Sequence, residues 1–406
     1  MGVFNIQKRF KHNIKKYFLG IFTVGLFAGA YIIIPQIFPI SYSSYKPTSN
    51  SQNIKKNTEL VKPEKVFVAT HVKTPKAVKA IYMTQCVVST PSFRKSLVKL
   101  IEETELNSVV IDIKDFTGSI VFKSDNPLLK DNAGKGCRTS DIIEFIDKLH
   151  KKGIYVIGRI TVFQDPYYTS IHPNLAVKME SATSTVWKDY RGLSFIEPGA
   201  KDFWDYIVAI GKESYNVGFD ELNFDYIRFP SDGNMRDIYY PFSEERIVSD
   251  PDMGKAEVMR EFFQYLHNSL KDTGVIMSAD LFGMTTTNPD DLNIGQILEY
   301  AEPYFDYLSP MVYPSHYPKG FHGWKNPNKH VYDVVNFSMS KGVDRLIAAS
   351  STPLKLRPWL QDFNYGGNYG AKEVRAQIQA TYDAGLTSWM LWNPSNRYTR
   401  GALENK

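Results

Sequence analysis

From residue 77 onward the chain alternates short apolar, β-branched runs with longer amphipathic stretches, separated by polar loops. The runs at 77–83, 108–113, 154–160, 219–226, 275–280, 307–313, 345–349 and 388–392 read as strands. The stretches at 93–105, 141–152, 200–215, 255–271, 331–341 and 372–384 carry the helical period. Gly153, Gly218, Gly274, Gly342 and Gly385 each follow a helical stretch, where a left-handed C-cap is expected. Repeated strand–helix units imply parallel strands, because a parallel pair needs a crossover connection. Eight of them over residues 78–406 fit one (β/α)8 TIM barrel with long loops. A doubly wound open sheet is the architectural alternative, but no Gly-x-Gly-x-x-Gly opens a helix after the first strand.

Ahead of this domain the pattern changes. Residues 17–34 form an uncharged apolar run, long enough to span a bilayer, and apolar residues continue to Ile40. Residues 1–16 hold five basic residues and no acid, so this tail should stay cytoplasmic and the remainder should cross. The expectation is an uncleaved transmembrane anchor over 17–40; a cleavable signal peptide is the alternative, although Ala28-Gly29-Ala30 imitates a cleavage site poorly. Residues 41–77, with seven Lys among Ser, Asn, Pro and Thr, read as a flexible linker. The domain would then lie outside the cytoplasm, on the cell membrane.

The 406 residues carry a net charge of +5, and its distribution changes the picture. The first 77 residues contribute the positive excess; 78–406 holds 36 basic against 41 acidic residues. A mildly acidic folded domain argues against a nucleic-acid partner. Two cysteines are too few for a disulfide scaffold or a four-cysteine zinc site. Cys86, after the first strand, and Cys137, after the second, fall at the same end of neighbouring strands and could form a disulfide in an oxidising compartment.

Barrel active sites sit at the C-terminal ends of the strands. In the fourth strand, period-two alternation places Glu221, Asn223 and Asp225 on the face pointing into the barrel, and Leu222, Phe224 and Tyr226 on the face toward the helices. Glu221 could pair there with Arg159 of the third strand. The fifth strand ends at Asp280, and neighbouring strands lie about 4.8 Å apart. Two tip carboxylates at roughly 5–10 Å suit glycosidic-bond hydrolysis. Asp112, Asp115 and Asp362 add acids near the same rim, and like charge raises the proton affinity of at least one member. Tyr167, Tyr168, Trp187, Phe229, Tyr313, Tyr317, Trp324, Trp359, Tyr365 and Trp392 crowd the loops, offering flat faces for sugar rings, or simply buried area between loops. No His-x-His, His-Glu-x-x-His, Gly-x-Ser-x-Gly or Gly-Lys-Ser/Thr motif occurs, so neither a metal nor a cofactor is expected. His316, His322 and His330 should meet substrate or solvent.

The blocks Ala80–Met83, Val110–Asp115, Ile157–Ile160, Asn223–Pro230, Ser278–Gly283, Pro310–Pro314 and Pro358–Phe363 resemble the bacterial putative glycoside hydrolase domain family, a distant relative of α-amylase-like barrels. The resemblance spans nearly all of 78–400. It implies Asp225 as nucleophile or base and Asp280 as acid. Amylase-like enzymes place Glu at the fifth strand, so Asp280 has a shorter reach. Arg159, Asn223, Arg228, Tyr313 and Asp362 would position the sugar. The resulting expectation is a membrane-anchored hydrolase of cell-wall, capsular or exopolysaccharide glycan; a non-catalytic glycan-binding or wall-tethering module on the same barrel is the alternative.

Overall fold

The computed structural model describes residues 68–133 and 136–406. The basic tail, the apolar segment over 17–40 and most of the linker lie outside them. Among the described residues no helix is long and apolar enough to cross a membrane.

Eight parallel strands close into a barrel. They are β1 (Lys79–Met83), β2 (Ser108–Lys114), β3 (Tyr155–Thr161), β4 (Glu221–Asp225), β5 (Ile276–Phe282), β6 (Tyr307–Met311), β7 (Trp359–Gln361) and β8 (Trp389–Trp392), each bonded to its sequence neighbour, with β8 returning to β1. The strands are buried on both faces, as a barrel wrapped in helices requires. Val78, Ala80, Val110, Ile157 and Met390 fill the interior, while Leu222, Phe224, Phe262 and Phe263 belong to the larger core between strands and helices.

Helices follow most strands: α1 (Pro91–Glu103), α2 (Ile142–His150), α3 (Lys201–Val217), α4 (Gly254–Leu270), α5 (Leu298–Ala301), α6 (Val331–Ala348) and α7 (Ala371–Asp383). Gly218 closes α3 with φ +119°, in the left-handed region that a C-cap needs. The expected cap at Gly342 and the expected strand at 345–349 are corrected. Gly342 lies inside α6, where a Cβ would stand 3.1 Å from Leu356 and 3.4 Å from Thr286. The glycine permits close packing rather than ending the helix. Leu346 is buried and Ile347 exposed on the last turn of α6, an amphipathic pair that a strand pattern mimics. The seventh strand is β7, carrying Trp359 at its start.

The lower end of the barrel is plugged by an ion pair. Arg357 Nη1 donates to Glu221 Oε1 at 2.8 Å and Oε2 at 3.0 Å, both side chains being fully buried. Tyr155 and Ser278 hydroxyls donate to the same carboxylate, and the guanidinium lies 3.8 Å over the Tyr307 ring. Glu221 therefore pairs with Arg357 and not with Arg159.

The folded unit begins ahead of residue 78. Val72 N–H donates to Asp220 Oδ1 at 2.7 Å, Thr74 bonds the Tyr155 hydroxyl at 3.1 Å, and His71 stacks on Tyr215 at 4.0 Å. The described end of the expected linker is thus bound to the N-terminal side of the barrel. At the opposite rim a disulfide joins Cys86 and Cys137, Cα–Cα 4.7 Å, tying the loop after β1 to the loop after β2.

Candidate active site

At the C-terminal rim the strands surround a cavity of about 500 Å³, whose lining includes Arg159, Asp225, Asp280, Tyr313, Trp359 and Trp392. The two acids come from adjacent strands. Asn223 pairs with Ser278 and Phe224 with Ala279 in the β4–β5 register, so Asp225 and Asp280 stand one step further toward the rim.

Their surroundings differ. Asp225 is gripped by donors: Arg159 Nε reaches Oδ2 at 3.0 Å, Arg159 Nη2 bonds the same oxygen, and the Tyr226 backbone N–H reaches Oδ1 at 2.6 Å. Charge-assisted donors of this kind suit a carboxylate. Asp280 is 2 % exposed. Its Oδ1 accepts from Asn223 Nδ2 at 2.8 Å and from the Trp359 indole at 2.7 Å, whereas Oδ2 accepts no hydrogen bond among the described residues. Burial, reinforced by the charge of Asp225, holds the Asp280 carboxyl well above the usual carboxylate range, with Arg159 opposing. One tip carboxyl thus binds a proton more tightly than an ordinary aspartate, beside another that is held by a guanidinium.

Arg159 organises the floor of this cavity. Its Nη1 donates to Asp112 Oδ1 at 2.7 Å, and its guanidinium lies 5.2 Å from the Trp392 ring and 5.8 Å from the Tyr82 ring. The Tyr82 hydroxyl donates to Asp112 Oδ2. Desolvation outweighs Arg159 and pushes the Asp112 carboxyl up to about 6. Trp392 stacks on Tyr82 at 4.1 Å and meets Trp359 edge-on at 5.6 Å, building an aromatic wall of two perpendicular indoles.

Several expected sugar contacts lie elsewhere. Asn223 and Asp112 are buried beneath the cavity and orient Asp280 and Arg159. Asp115 accepts from Thr117 N–H and Oγ1 in a turn, away from the cavity. Asp362 faces a neighbouring recess and accepts from Thr399 N–H at 2.8 Å and Oγ1 at 2.6 Å; burial sets its carboxyl at about 6. Among the aromatics, Tyr313, Tyr317, Trp359 and Trp392 reach the cavity, while Phe229 and Trp187 are buried in the core. Of the three histidines, His316 lines it.

Tyr226 was expected on the helix-facing side, yet it lines the cavity. Its φ of +53° turns the backbone out of the strand, which breaks the alternation after Asp225 and aims both its amide and its ring at the site. A non-glycine residue in this region costs roughly 1–2 kcal/mol. Phe282 and Met311, the last residues of β5 and β6, also line the cavity, as do the loop residues Arg191, Asp232 and Met284, which carried no signal in sequence because loops show no periodicity.

Residues 80–398 match the family model described as "Putative glycosyl hydrolase domain". The chain belongs to this family. The match covers the barrel, including both tip acids and Arg228, and makes this domain a glycoside hydrolase barrel. A hypothetical protein from Ruminiclostridium thermocellum is 33% identical over 49% of this chain and 96% of its own, with TM-score 0.43. The PgaB (BpsB) glycoside hydrolase domain from Bordetella bronchiseptica shares the fold, with TM-score 0.58 and 13% identity over 81% of this chain and 99% of its own. No curated protein is significantly similar.

Proposed function

We propose that this glycosyl hydrolase family member cleaves O-glycosidic bonds of an extracytoplasmic polysaccharide from a membrane-anchored position. The observation that carries the reading is the asymmetry of the two carboxyls: Asp280 is buried, lines the cavity and has hydrogen bonds to Oδ1 alone, and Asp225 is clamped by Arg159. Asp280 gives its proton to the leaving glycosidic oxygen, so the departing sugar leaves as a neutral alcohol. Asp225 attacks the anomeric carbon or takes a proton from the attacking water. Its Oδ2 accepts both Arg159 bonds, whereas Oδ1 accepts only the Tyr226 N–H, so the second lone pair of Oδ1 leaves capacity for this step. The Trp359–Trp392 wall and Tyr313 receive the sugar ring.

The apolar run over 17–34 behind a basic cluster supports the anchor, and the Cys86–Cys137 bond suits an oxidising compartment. The test is release of new reducing ends from a panel of wall, capsular and exopolysaccharide glycans by the full-length protein. Asp280→Asn and Asp225→Asn should each lower turnover by about 10³-fold or more, with an unchanged circular dichroism spectrum. Full turnover in both variants overturns the assignment. Binding without cleavage by the unaltered protein favours the glycan-binding module instead.

A further inference from the structure

Arg228 is a buried cation with no buried anion to match it. The residue is 9% exposed and lines the cavity. Its guanidinium lies against two rings, 4.8 Å from the Tyr226 centroid and 4.9 Å from the Phe282 centroid. Nη1 donates to the Phe229 carbonyl at 3.0 Å, and no carboxylate forms an ion pair with it among the described residues. Asp225, Asp232 and Asp189 act on it only at longer range; burial outweighs their attraction and lowers its proton affinity. The Arg159 guanidinium, by contrast, is paired with both Asp112 and Asp225. A desolvated charge without a paired anion costs free energy. That cost is recovered when an anion arrives, and the planar fork of Arg matches a carboxylate in two parallel bonds. The strained turn at Tyr226 supplies one of the two rings and leads, two residues on, into Arg228. Arg191, exposed and also without an ion pair among the described residues, adds a second cation to the cavity lining.

We propose that the glycan cleaved here carries a carboxylate, as in a uronic-acid residue, and that Arg228 is the residue that recognises it. The proposal rests on the hydrolase reading above and names the substrate class of the same cavity. A neutral sugar leaves the Arg228 charge uncompensated, so discrimination is built into the site and does not depend on the catalytic acids.

The test is equilibrium binding of glucuronate and galacturonate to the full-length protein by calorimetry, beside glucose, galactose and glucose 6-phosphate. Uronates should bind about tenfold or more tightly than their neutral counterparts. Arg228→Gln should lose that preference, and Arg228→Lys should keep part of it. Equal affinity for uronate and neutral sugar, no binding of either, or a preference surviving in Arg228→Gln overturns the proposal. So does tighter binding of glucose 6-phosphate than of glucuronate. The comparison on the unaltered protein decides even if a variant fails to fold. Cleavage of a neutral glycan without uronate preference sinks the proposal and leaves the hydrolase reading intact. Arg228-dependent uronate binding without any cleavage does the reverse.

Discussion

Asp280 differs from an ordinary strand-tip aspartate in how its two oxygens are used. Oδ1 is bonded by Asn223 and Trp359, and Oδ2 accepts no hydrogen bond among the described residues. In the proposed role of general acid it would work only while protonated, so the rate should fall as pH rises through its elevated pKa. Trp359→Phe removes a donor that favours the anion, which raises that pKa further. The basic limb of the pH–rate profile should therefore move to higher pH in Trp359→Phe; a limb that stays put, or moves down, contradicts the role. Glu197, in the loop after β3, shows the same physics away from the cavity. Its Oε1 accepts from Ser243 Oγ at 2.6 Å, while its buried Oε2 has no partner, and burial pushes the carboxyl from 4.5 up to about 7. The folded state therefore binds this proton more tightly than the unfolded chain. Its stabilising contribution is complete below pH 4.5 and is lost as pH rises through about 7. Glu197→Gln should gain on the order of 2–3 kcal/mol at pH 8 and nothing near pH 4, read from denaturant unfolding.

At the scale of elements, helix stops were the most legible feature. Gly153, Gly218, Gly274 and Gly385 all take positive φ where their helical runs end. Gly385 has φ +83° and open space around its α-carbon, so the conformational cost of a side chain is isolated there from any clash. Gly385→Ala should destabilise the protein by about 1 kcal/mol, measured by chemical denaturation. Gly342 looked identical in sequence and lies inside α6, because tertiary packing against Leu356 and Thr286 asked for a small residue. That misreading displaced the seventh strand from β7 to 345–349. Three residues of β7 are too few to show a period, and only pairing with β8 and β6 reveals them. Alternation along β4 held through Phe224 and failed at Tyr226, where positive φ reverses the side chain.

Over the whole molecule, barrel closure gathers Tyr82, Asp112, Arg159, Asp225, Asp280, Trp359 and Trp392 from seven strands. The disulfide spans 51 residues and pins two rim loops, one on each side of β2. Replacing both cysteines by serine should lower stability by about 2–4 kcal/mol, chiefly by freeing the unfolded chain. The melting temperature of the double variant, compared with the oxidised and reduced parent, checks this: the reduced parent should approach the variant.

Seven of the eight strands, the parallel architecture and the place of the two tip acids at strand ends were legible in the sequence alone, because burial on a barrel imprints a local period wherever an element is long enough to show one. Partner choice was not. Glu221 meets Arg357, 136 positions away, Arg159 goes to Asp112 and Asp225, and Asp362 turns to Thr399 in a separate recess. Such pairings depend on which side chains a closed sheet brings within hydrogen-bond reach, and no periodicity encodes that. The one-sided hydrogen bonding of Asp280 and the unmatched charge of Arg228 exist only once the barrel has closed around them.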